Sequence, residues 1–373
     1  MRLSARQLNR ATLARQLLLR RERLDPVAAI ERLAGLQAQE PASPHIALWT
    51  RVQGFRSEQL TLAVHARELV KATLGRSTLH IVSAADYRAS ATATLAVTRS
   101  KWMNEARGRP VERGLPELAG LSLAFARLPR TNVELRDHAG TLGEPVPADE
   151  LWRRIRRYGT FVHVPTDDPW SYGRRPLHIA ADAWTGEPQP DRAAALEHLV
   201  RRYLLAFGPA RTADMAQWSG LAVRDLRIGL GRIEELVTYE DPRGRELFDL
   251  PGAPLPDGDT PAPPRLLPMW DETLLAYAER DRVLPERYRQ RVIVKGGDVL
   301  PTFTLDGYVA GLWWAEAGED GASRIVFEPF ETLGPDDRTA LGQEGAGLAA
   351  LVGGREPDVY RRYRYSRRRD RSS

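Results

Sequence analysis

Two glutamines, Gln37 and Gln39, lie two residues apart, and the apolar residues Leu36 and Ala38 alternate with them. In an extended chain, successive side chains point to opposite faces, so both amides would share one surface and both apolar side chains would face the core. In a helix, the two amides would diverge by about 200°. Because Pro41 disfavours a helix through this stretch, the spacing predicts two neighbouring amides on one surface.

Such a pair of carboxamides can hold a water molecule. The carbonyl oxygen of glutamine accepts a hydrogen bond and its NH₂ group donates one, although neither group is a strong base. On spacing alone, a polar strand or loop without catalytic function explains the two glutamines more simply. Whether the pair has a catalytic function therefore depends on the fold and the residues that surround it.

The composition is that of a basic chain without cysteine. The 373 residues include no Cys, which excludes disulfides and thiolate metal sites in this sequence and fits a reducing, cytoplasmic environment. The formal net charge is +5, and only three of the 54 basic residues are lysines. Arginine forks bind phosphate oxygens well, so nucleic acid is a reasonable partner, but 49 acidic residues dilute this signal.

Other classes of site are not indicated by the sequence. No His or carboxylate cluster has metal-ligand spacing, and neither a phosphate-binding loop nor a convincing GxGxxG pattern is present. We therefore predict no metal and no cofactor. No apolar run follows the N-terminal arginines, and no apolar stretch reaches roughly 18 residues, so we expect neither a signal peptide nor a membrane span.

Helix signals followed by a two-stranded ribbon recur about three times along the chain. In the first repeat, the predicted N-caps of successive helices are Ser4, Asp25, Ser57 and Ser83. Helices followed by a ribbon are typical of a winged helix-turn-helix, so we predict three degenerate winged-helix modules. The predicted ribbons cover 69–82, 159–181 and 237–250.

The pattern changes after a proline-rich linker at 251–264. Asp306 and Gly307 lie between two apolar segments and indicate a tight hairpin. A helix is predicted near 335–352, and the arginine-rich segment 361–371 is predicted to be a disordered tail that adds nonspecific phosphate affinity. The fold class is therefore α+β, with a C-terminal β-barrel or sheet whose predicted strands cover 265–268, 291–295, 302–305, 308–314 and 323–327.

Five blocks of sequence resemble the winged-helix DNA glycosylases of the AlkZ and YcaQ type. They follow one another through nearly the whole chain and read LAGLQAQEPASPHIALWTRV, LVKATLGRSTLHIV, ARTADMAQWSGL, LLPMWDETLLAYAERDRVLP and GYVAGLWW. The resemblance implies three tandem winged helices and a β-barrel subdomain in a C-shaped protein with a basic, concave DNA-binding face. The expected units are three winged-helix modules, a β-barrel subdomain with a C-terminal helix, and a basic tail, at 1–130, 131–190, 191–255, 256–355 and 356–373.

The resemblance also implies an activity. Members of this family excise N7-alkylated purines and unhook interstrand crosslinks, using a motif of Gln, an apolar residue, and then Gln or Asp. The segment Gln37-Ala38-Gln39 has the form with two glutamines, which resembles the AlkZ branch and its self-resistance to genotoxic natural products such as azinomycin B. The implied partner is double-stranded DNA with N7-alkylpurine or crosslink lesions, in the bacterial cytoplasm and nucleoid, with no obligate protein partner and no membrane.

An N7-alkylguanine carries a positive charge, so its departure from the sugar needs little help. A water held by Gln37 and Gln39 would attack C1′ of an oxocarbenium-like sugar, with positioning and electrostatics supplying most of the catalysis. No lysine lies near the motif to form a Schiff base. We therefore expect a monofunctional glycosylase that leaves an abasic site without strand cleavage.

Candidate DNA contacts come from the first and third modules. Each has a structural alternative, such as a helix-start role for His45, cross-strand pairing for the ribbon residues, or helix capping by Thr212. The neighbours Asp271 and Glu272 resemble paired carboxylates, but a structural role is the better prediction for both. The candidate DNA contacts are His45, Arg51, Lys71, Arg76, Ser77, Thr78, His80, Arg211 and Thr212.

Two other functions fit parts of the sequence. A noncatalytic winged-helix transcription regulator would explain the modules and the charge, but it gives the glutamine pair no role. A hydrolase acting on a toxin itself would turn over in the absence of DNA.

Overall fold

The chain mixes helices and strands throughout. The computed structural model describes residues 1–105, 111–173, 175–186, 190–294, 296–318 and 322–363. The predicted polar break at 107–110 and the tail beyond 363 lie outside the described residues. In the part of the chain that is described, no helix is both long enough and apolar enough to cross a membrane.

The N-terminal part forms helices and then a ribbon, as predicted. Ser4 Oγ accepts the backbone N–H of Gln7 at 3.1 Å, and the Asp25 carboxylate accepts that of Ala28 at 2.9 Å, so both predicted caps are confirmed. Ser57 is the first residue of its helix rather than its cap. The elements are α1 (Ala5–Arg15), α2 (Pro26–Arg32), β1 (Leu36–Gln37), α3 (Ala42–Arg51), α4 (Ser57–His65), β2 (Leu69–Leu74), β3 (Thr78–Ser83) and α5 (Ala84–Glu105).

Two further groups of helices are each followed by a ribbon. The elements are α6 (Leu115–Phe125), β4 (Arg130–Thr131), α7 (Asn132–Gly140), α8 (Ala148–Tyr158), β5 (Phe161–Val164), β6 (Leu177–Ala180), α9 (Ala181–Thr185), α10 (Arg192–Phe207), α11 (Thr212–Ser219), α12 (Val223–Leu230), β7 (Val237–Glu240) and β8 (Glu246–Asp249). Thr212 is not the N-cap of α11, because it is already helical. The cap is Arg211, whose backbone N–H donates to the Asp214 carboxylate at 3.0 Å.

The first two ribbons join edge to edge in one antiparallel sheet, which the sequence did not predict. The strand order is β1-β3-β2-β5-β6-β4. The joint between β2 and β5 consists of two residue pairs, Lys71 with His163 and Ala72 with Val162. The two ribbons therefore hold fixed positions relative to each other, whereas β7 and β8 form a separate two-stranded sheet.

The C-terminal part contains an open sheet. Its elements are β9 (Arg265–Leu267), α13 (Arg289–Val292), β10 (Thr302–Leu305), β11 (Tyr308–Ala317), β12 (Ser323–Pro329) and α14 (Pro335–Gly353). Among the described residues, the strand order is β12-β11-β10-β9 with two free edges, so the predicted barrel does not close. The predicted hairpin is confirmed, since Asp306 and Gly307 have the positive φ angles, 43° and 79°, that a two-residue turn of this kind requires.

The prediction of a strand at 291–295 is wrong. Its first residues complete α13, and Ile293 makes only an isolated bridge with Val299. Gly296 and Gly297 follow with φ angles of 103° and 92° and turn the chain back at once. The apolar run reflects burial in the C-terminal core rather than a strand.

Helix α1 connects the C-terminal sheet with the third ribbon. Arg10 donates to the backbone carbonyl of Asp306 at 3.1 Å, at the tip of the β10–β11 hairpin. One turn further, the buried Arg15 donates to both carboxylate oxygens of Asp249, at 2.7 and 2.8 Å. An N-terminal helix thus fixes parts of the chain that lie far away in sequence.

Replacing Arg15 with Met should lower the free energy of unfolding by about 3–5 kcal/mol, because Asp249 is then left as a buried, unpaired charge. The matched control is Arg2→Met, since Arg2 pairs with Glu240 at the surface and should contribute less than about 1 kcal/mol. Urea denaturation followed by circular dichroism measures both variants. Equally small losses would contradict a structural role for the buried pair.

Candidate functional site

The backbone at Gly35 lies close against β3, and this contact brings the glutamine segment next to that strand. Gly35 has a φ of 96°, and a Cβ there would lie 2.8 Å from a methyl carbon of Val82, so the position requires glycine. β1 then pairs with β3 and places Gln37 opposite His80. The two apolar residues that alternate with the glutamines are buried in the core, as predicted.

The two glutamines differ in their surroundings. Gln37 is buried, and its Oε1 has no hydrogen-bond partner among the described residues. Gln39 lies beyond the end of β1 and is exposed, and its Oε1 accepts the backbone N–H of Leu79 at 2.8 Å. This hydrogen bond uses the oxygen of the amide and leaves the NH₂ group of Gln39 as a donor at the surface. The two amides therefore differ in their access to solvent, and their joint action on one water stays a prediction.

His80, opposite Gln37, also contacts a buried carboxylate. Its Nε2 is 3.2 Å from Oε1 of Glu272, and its Nδ1 is 3.0 Å from the carbonyl oxygen of Thr78. Both neighbours are hydrogen-bond acceptors, which fixes the orientation of the His80 ring. Glu272 is 5% exposed and has Nη2 of Arg76 at 3.8 Å. The sequence predicted only a structural role for Glu272, and no local spacing connects it to the glutamines.

A cavity of about 310 Å³, here called the arginine cavity, includes Gln39 in its wall. Two exposed arginines of α8, Arg156 and Arg157, line it together with two histidines whose ring centroids are 4.6 Å apart. Burial lowers the pKa of both histidines, in His178 to about 4. The wall consists of Gln39, Thr73, Ser77, Leu79, Thr98, Arg156, Arg157, Phe161, His163 and His178.

A second cavity of about 580 Å³, here called the lysine cavity, shares Gln39 with the first. Lys71 lines it and is 5% exposed, with its Nζ 4.5 Å from the ring centroid of Tyr172. Burial lowers the pKa of Lys71 to about 8. The expectation that no lysine lies near the motif is therefore wrong. Sheet pairing brings Lys71 to the same cavity wall as Gln39, and sequence distance could not reveal this.

Two predicted DNA contacts are interior residues instead. His45 is 1% exposed and packs against Trp170, with 5.1 Å between ring centroids. Arg51 is also 1% exposed, and its Nη2 donates to Asp271 at 2.8 Å and to Thr273 at 3.0 Å. Buried groups with these partners stabilise the fold, so we correct both predictions to structural roles.

Three more predicted contacts lie at the tip of the first ribbon. Arg76 donates to the carbonyl oxygens of Gln217 and Trp218 at 3.1 and 2.7 Å, which ties the ribbon to α11. Ser77 lines the arginine cavity. The hydroxyl oxygen of Thr78 is buried without a hydrogen-bond partner in the described chain. Of the three, Ser77 is the one whose position suits a DNA contact, and that role remains a prediction.

The last predicted pair belongs to the third group of helices. Arg211 donates to the carboxylates of Asp214 and Glu279, at 3.0 and 3.2 Å. Thr212 is partly buried in the first turn of α11. Two carboxylates engage the Arg211 guanidinium, which favours a structural role, and the phosphate contact of this residue stays a prediction.

Most of the chain matches one protein family. The family model for "DNA glycosylase AlkZ-like" matches residues 30–351, a span that includes both glutamines and both cavities' sheet strands. The chain belongs to the AlkZ-like DNA glycosylase family. The glycosylase is similar in fold to the DNA glycosylase AlkZ of Streptomyces sahachiroi, with a TM-score of 0.79 and 22% identity over 95% of this chain and 98% of that one. No curated protein matched the sequence.

Because two of its buried histidines have lowered pKa values, we expect this glycosylase to lose stability in mild acid. Burial lowers the pKa of His45 to about 3 and that of His178 to about 4, against 6.5 for an ordinary histidine. Below pH 6.5 the unfolded chain therefore binds more protons than the folded one. The stability present above that pH is lost as pH falls toward 4, by about 1.4 kcal/mol per pH unit for each histidine.

Urea denaturation at about pH 7.5 and about pH 5.5 measures this loss. His178→Phe should reduce the pH dependence of the free energy of unfolding, whatever its effect at neutral pH. His65→Asn, on the exposed side of α4, is the matched control and should leave the pH dependence as in wild type. A wild-type stability that does not change between the two pH values would contradict the neutral, buried state of these rings.

Proposed function

We propose that this glycosylase excises N7-alkylated purines from double-stranded DNA by positioning a water at the sugar C1′. The observation that carries the proposal is Gln39, which is exposed on the shared wall of two cavities with its NH₂ group available as a donor. This NH₂ group and the unpartnered carbonyl oxygen of Gln37 would hold the water. The water oxygen bonds to C1′ and gives a proton to bulk solvent, while the purine leaves with the electrons of the glycosidic bond.

The charge of the lesion and the surroundings of the motif favour this route. A positively charged purine becomes neutral as it leaves, so no strong acid is needed to protonate it. The buried carboxylate of Glu272, one hydrogen bond from His80, supplies negative charge behind the motif. Fixed charges of this kind stabilise an oxocarbenium-like sugar, because they need no rearrangement during the reaction. The base excision leaves an abasic site with the strand intact.

The DNA would lie across the arginine cavity. Arg156 and Arg157 project from α8 at its wall, and their planar guanidinium groups suit phosphate oxygens. We further propose that the three groups of helices with ribbons are winged-helix modules at 1–130, 131–190 and 191–255. They would form a C-shaped protein with the subdomain at 256–355 and the tail at 356–373, acting on the bacterial chromosome in the cytoplasm.

The proposed lesions include interstrand crosslinks and adducts like those of azinomycin, with self-resistance to a genotoxic natural product as the biological role. The two cavities that meet at Gln39 have volumes of about 310 and 580 Å³, and this room beside the motif supports the proposal of bulky lesions. A crosslinked purine remains attached to the second strand, so it needs room beside the reacting sugar rather than a closed pocket.

Alanine at Gln37 or at Gln39 should lower the rate of N7-methylguanine release from methylated DNA by roughly 10²-fold, the usual effect of removing one positioning group. Each substitution removes one partner of the water, while the cavity arginines that would bind DNA stay in place. Chromatography of the bases released under single-turnover conditions measures the rate.

The matched control is Gln53→Ala, which removes an exposed amide outside both cavities and should release N7-methylguanine as wild type does. Affinity for undamaged duplex DNA should be unchanged in all three variants. An equal loss of DNA affinity and release in the Gln37 and Gln39 variants would make the motif a binding or folding element. No release by wild type, together with tight binding to one DNA sequence, would favour a noncatalytic regulator.

A further inference from the structure

The side chain of Lys71 carries a buried amine that forms no ion pair within the described part of the chain. It lies inside the six-stranded sheet, on β2 between β3 and β5, and is 5% exposed. Within the described residues its side-chain amine has neither an ion pair nor a hydrogen bond, and its Nζ lies 4.5 Å from the Tyr172 ring centroid. Burial disfavours the charged form of this amine and outweighs the attraction from Glu40, so the neutral, nucleophilic form is easier to reach than in an exposed lysine. Burial lowers the pKa of Lys71 to about 8.

Two of the four carboxylates that line the lysine cavity, Glu40 and Glu356, bind other groups. Glu40 accepts from Arg362 and from Tyr363. Glu356 accepts the indole N–H of Trp170 at 2.9 Å. The remaining titratable groups of the cavity wall are His163, Asp168, Tyr172, Arg355, Asp358 and Arg362. Among the described residues, no carboxylate forms an ion pair with the Lys71 amine, which shares this cavity with Gln39.

The product of base excision matches this amine chemically. An abasic deoxyribose opens to an aldehyde at C1′, and an unprotonated lysine attacks such a carbon. We propose that Lys71 forms an imine with the C1′ aldehyde of an abasic site held beside Gln39, an inference that rests on the proposed glycosylase function. The nitrogen bonds to C1′, the amine gives both of its protons to the aldehyde oxygen, and that oxygen leaves as water.

This step needs no oxidant or reductant, and hydrolysis reverses it. The imine keeps the reactive aldehyde bound to the enzyme until hydrolysis releases the abasic site. Strand cleavage would require a separate base to remove a C2′ proton, and it is not part of the proposal. The net reaction of the enzyme therefore remains base excision.

Borohydride trapping tests the imine directly. The full chain is incubated with a duplex carrying one preformed abasic site, made by removing uracil enzymatically, and sodium borohydride is added. Reduction turns the imine into a stable protein–DNA bond that a denaturing gel resolves. The chain has only three lysines, Lys71, Lys101 and Lys295, so peptide mass spectrometry of the trapped wild type assigns the attacking amine. We expect the linkage on Lys71.

Lys71→Arg is the decisive variant, because arginine keeps the positive charge and cannot form the imine. It should lower the trapped yield at least about tenfold, while Lys101→Arg and Lys295→Arg keep the wild-type yield. The wild-type yield should rise between about pH 7 and about pH 9, as the amine loses its proton. Thermal unfolding shows whether Lys71→Arg is folded, and the peptide assignment in wild type does not depend on any variant.

A linkage on another lysine or on the N-terminal amine would overturn the proposal. So would a trapped yield that Lys71→Arg leaves unchanged, or a wild type that traps nothing. Because the abasic site is preformed, absence of trapping with normal N7-methylguanine release would overturn this inference alone. Normal trapping without any base release would instead overturn the proposed glycosylase substrate.

Discussion

The joint between β2 and β5 sets the geometry around the glutamine motif. Only two residue pairs form it, yet it makes one sheet out of two ribbons that lie far apart in the chain. Both cavities beside Gln39 take their walls from strands on the two sides of this joint. Backbone hydrogen bonds contribute about 1 kcal/mol each, so the joint depends mainly on the apolar residues packed over it, such as Val70, Leu74 and Ile179.

A buried ion pair and a buried hydrogen bond connect this sheet to the C-terminal part. Arg51 on α3 binds Asp271, and Asp271 caps the short 3₁₀ turn in which Glu272 is the next residue. Glu272 in turn reaches His80, the cross-strand neighbour of Gln37. Arg51, which the sequence predicted as a DNA contact, thus supports the glutamine motif from the protein interior. To tell a structural arginine from a DNA-binding one, the burial of each side chain must be known, and the sequence does not contain this information.

Local signals predicted the elements well, because caps and turns depend on residues a few positions apart. The caps at Ser4 and Asp25 and the hairpin at 306–307 are examples. Long-range features could not be predicted. Neither the fusion of two ribbons nor the placement of Lys71 beside Gln39 has any signature in spacing. The segment at 291–295 looked like a strand because a buried apolar run has the same composition in either conformation.

The most direct measurement is incubation with a duplex that carries one defined N7-guanine interstrand crosslink, followed by alkaline cleavage and a denaturing gel. Wild type and Gln37→Ala are compared at equal DNA occupancy. Excision at this motif predicts unhooked strands with alkali-labile abasic sites from wild type and almost none from Gln37→Ala. Equal unhooking by both proteins would contradict a catalytic role for the motif, and intact crosslinks with both would contradict the proposed activity on crosslinked DNA.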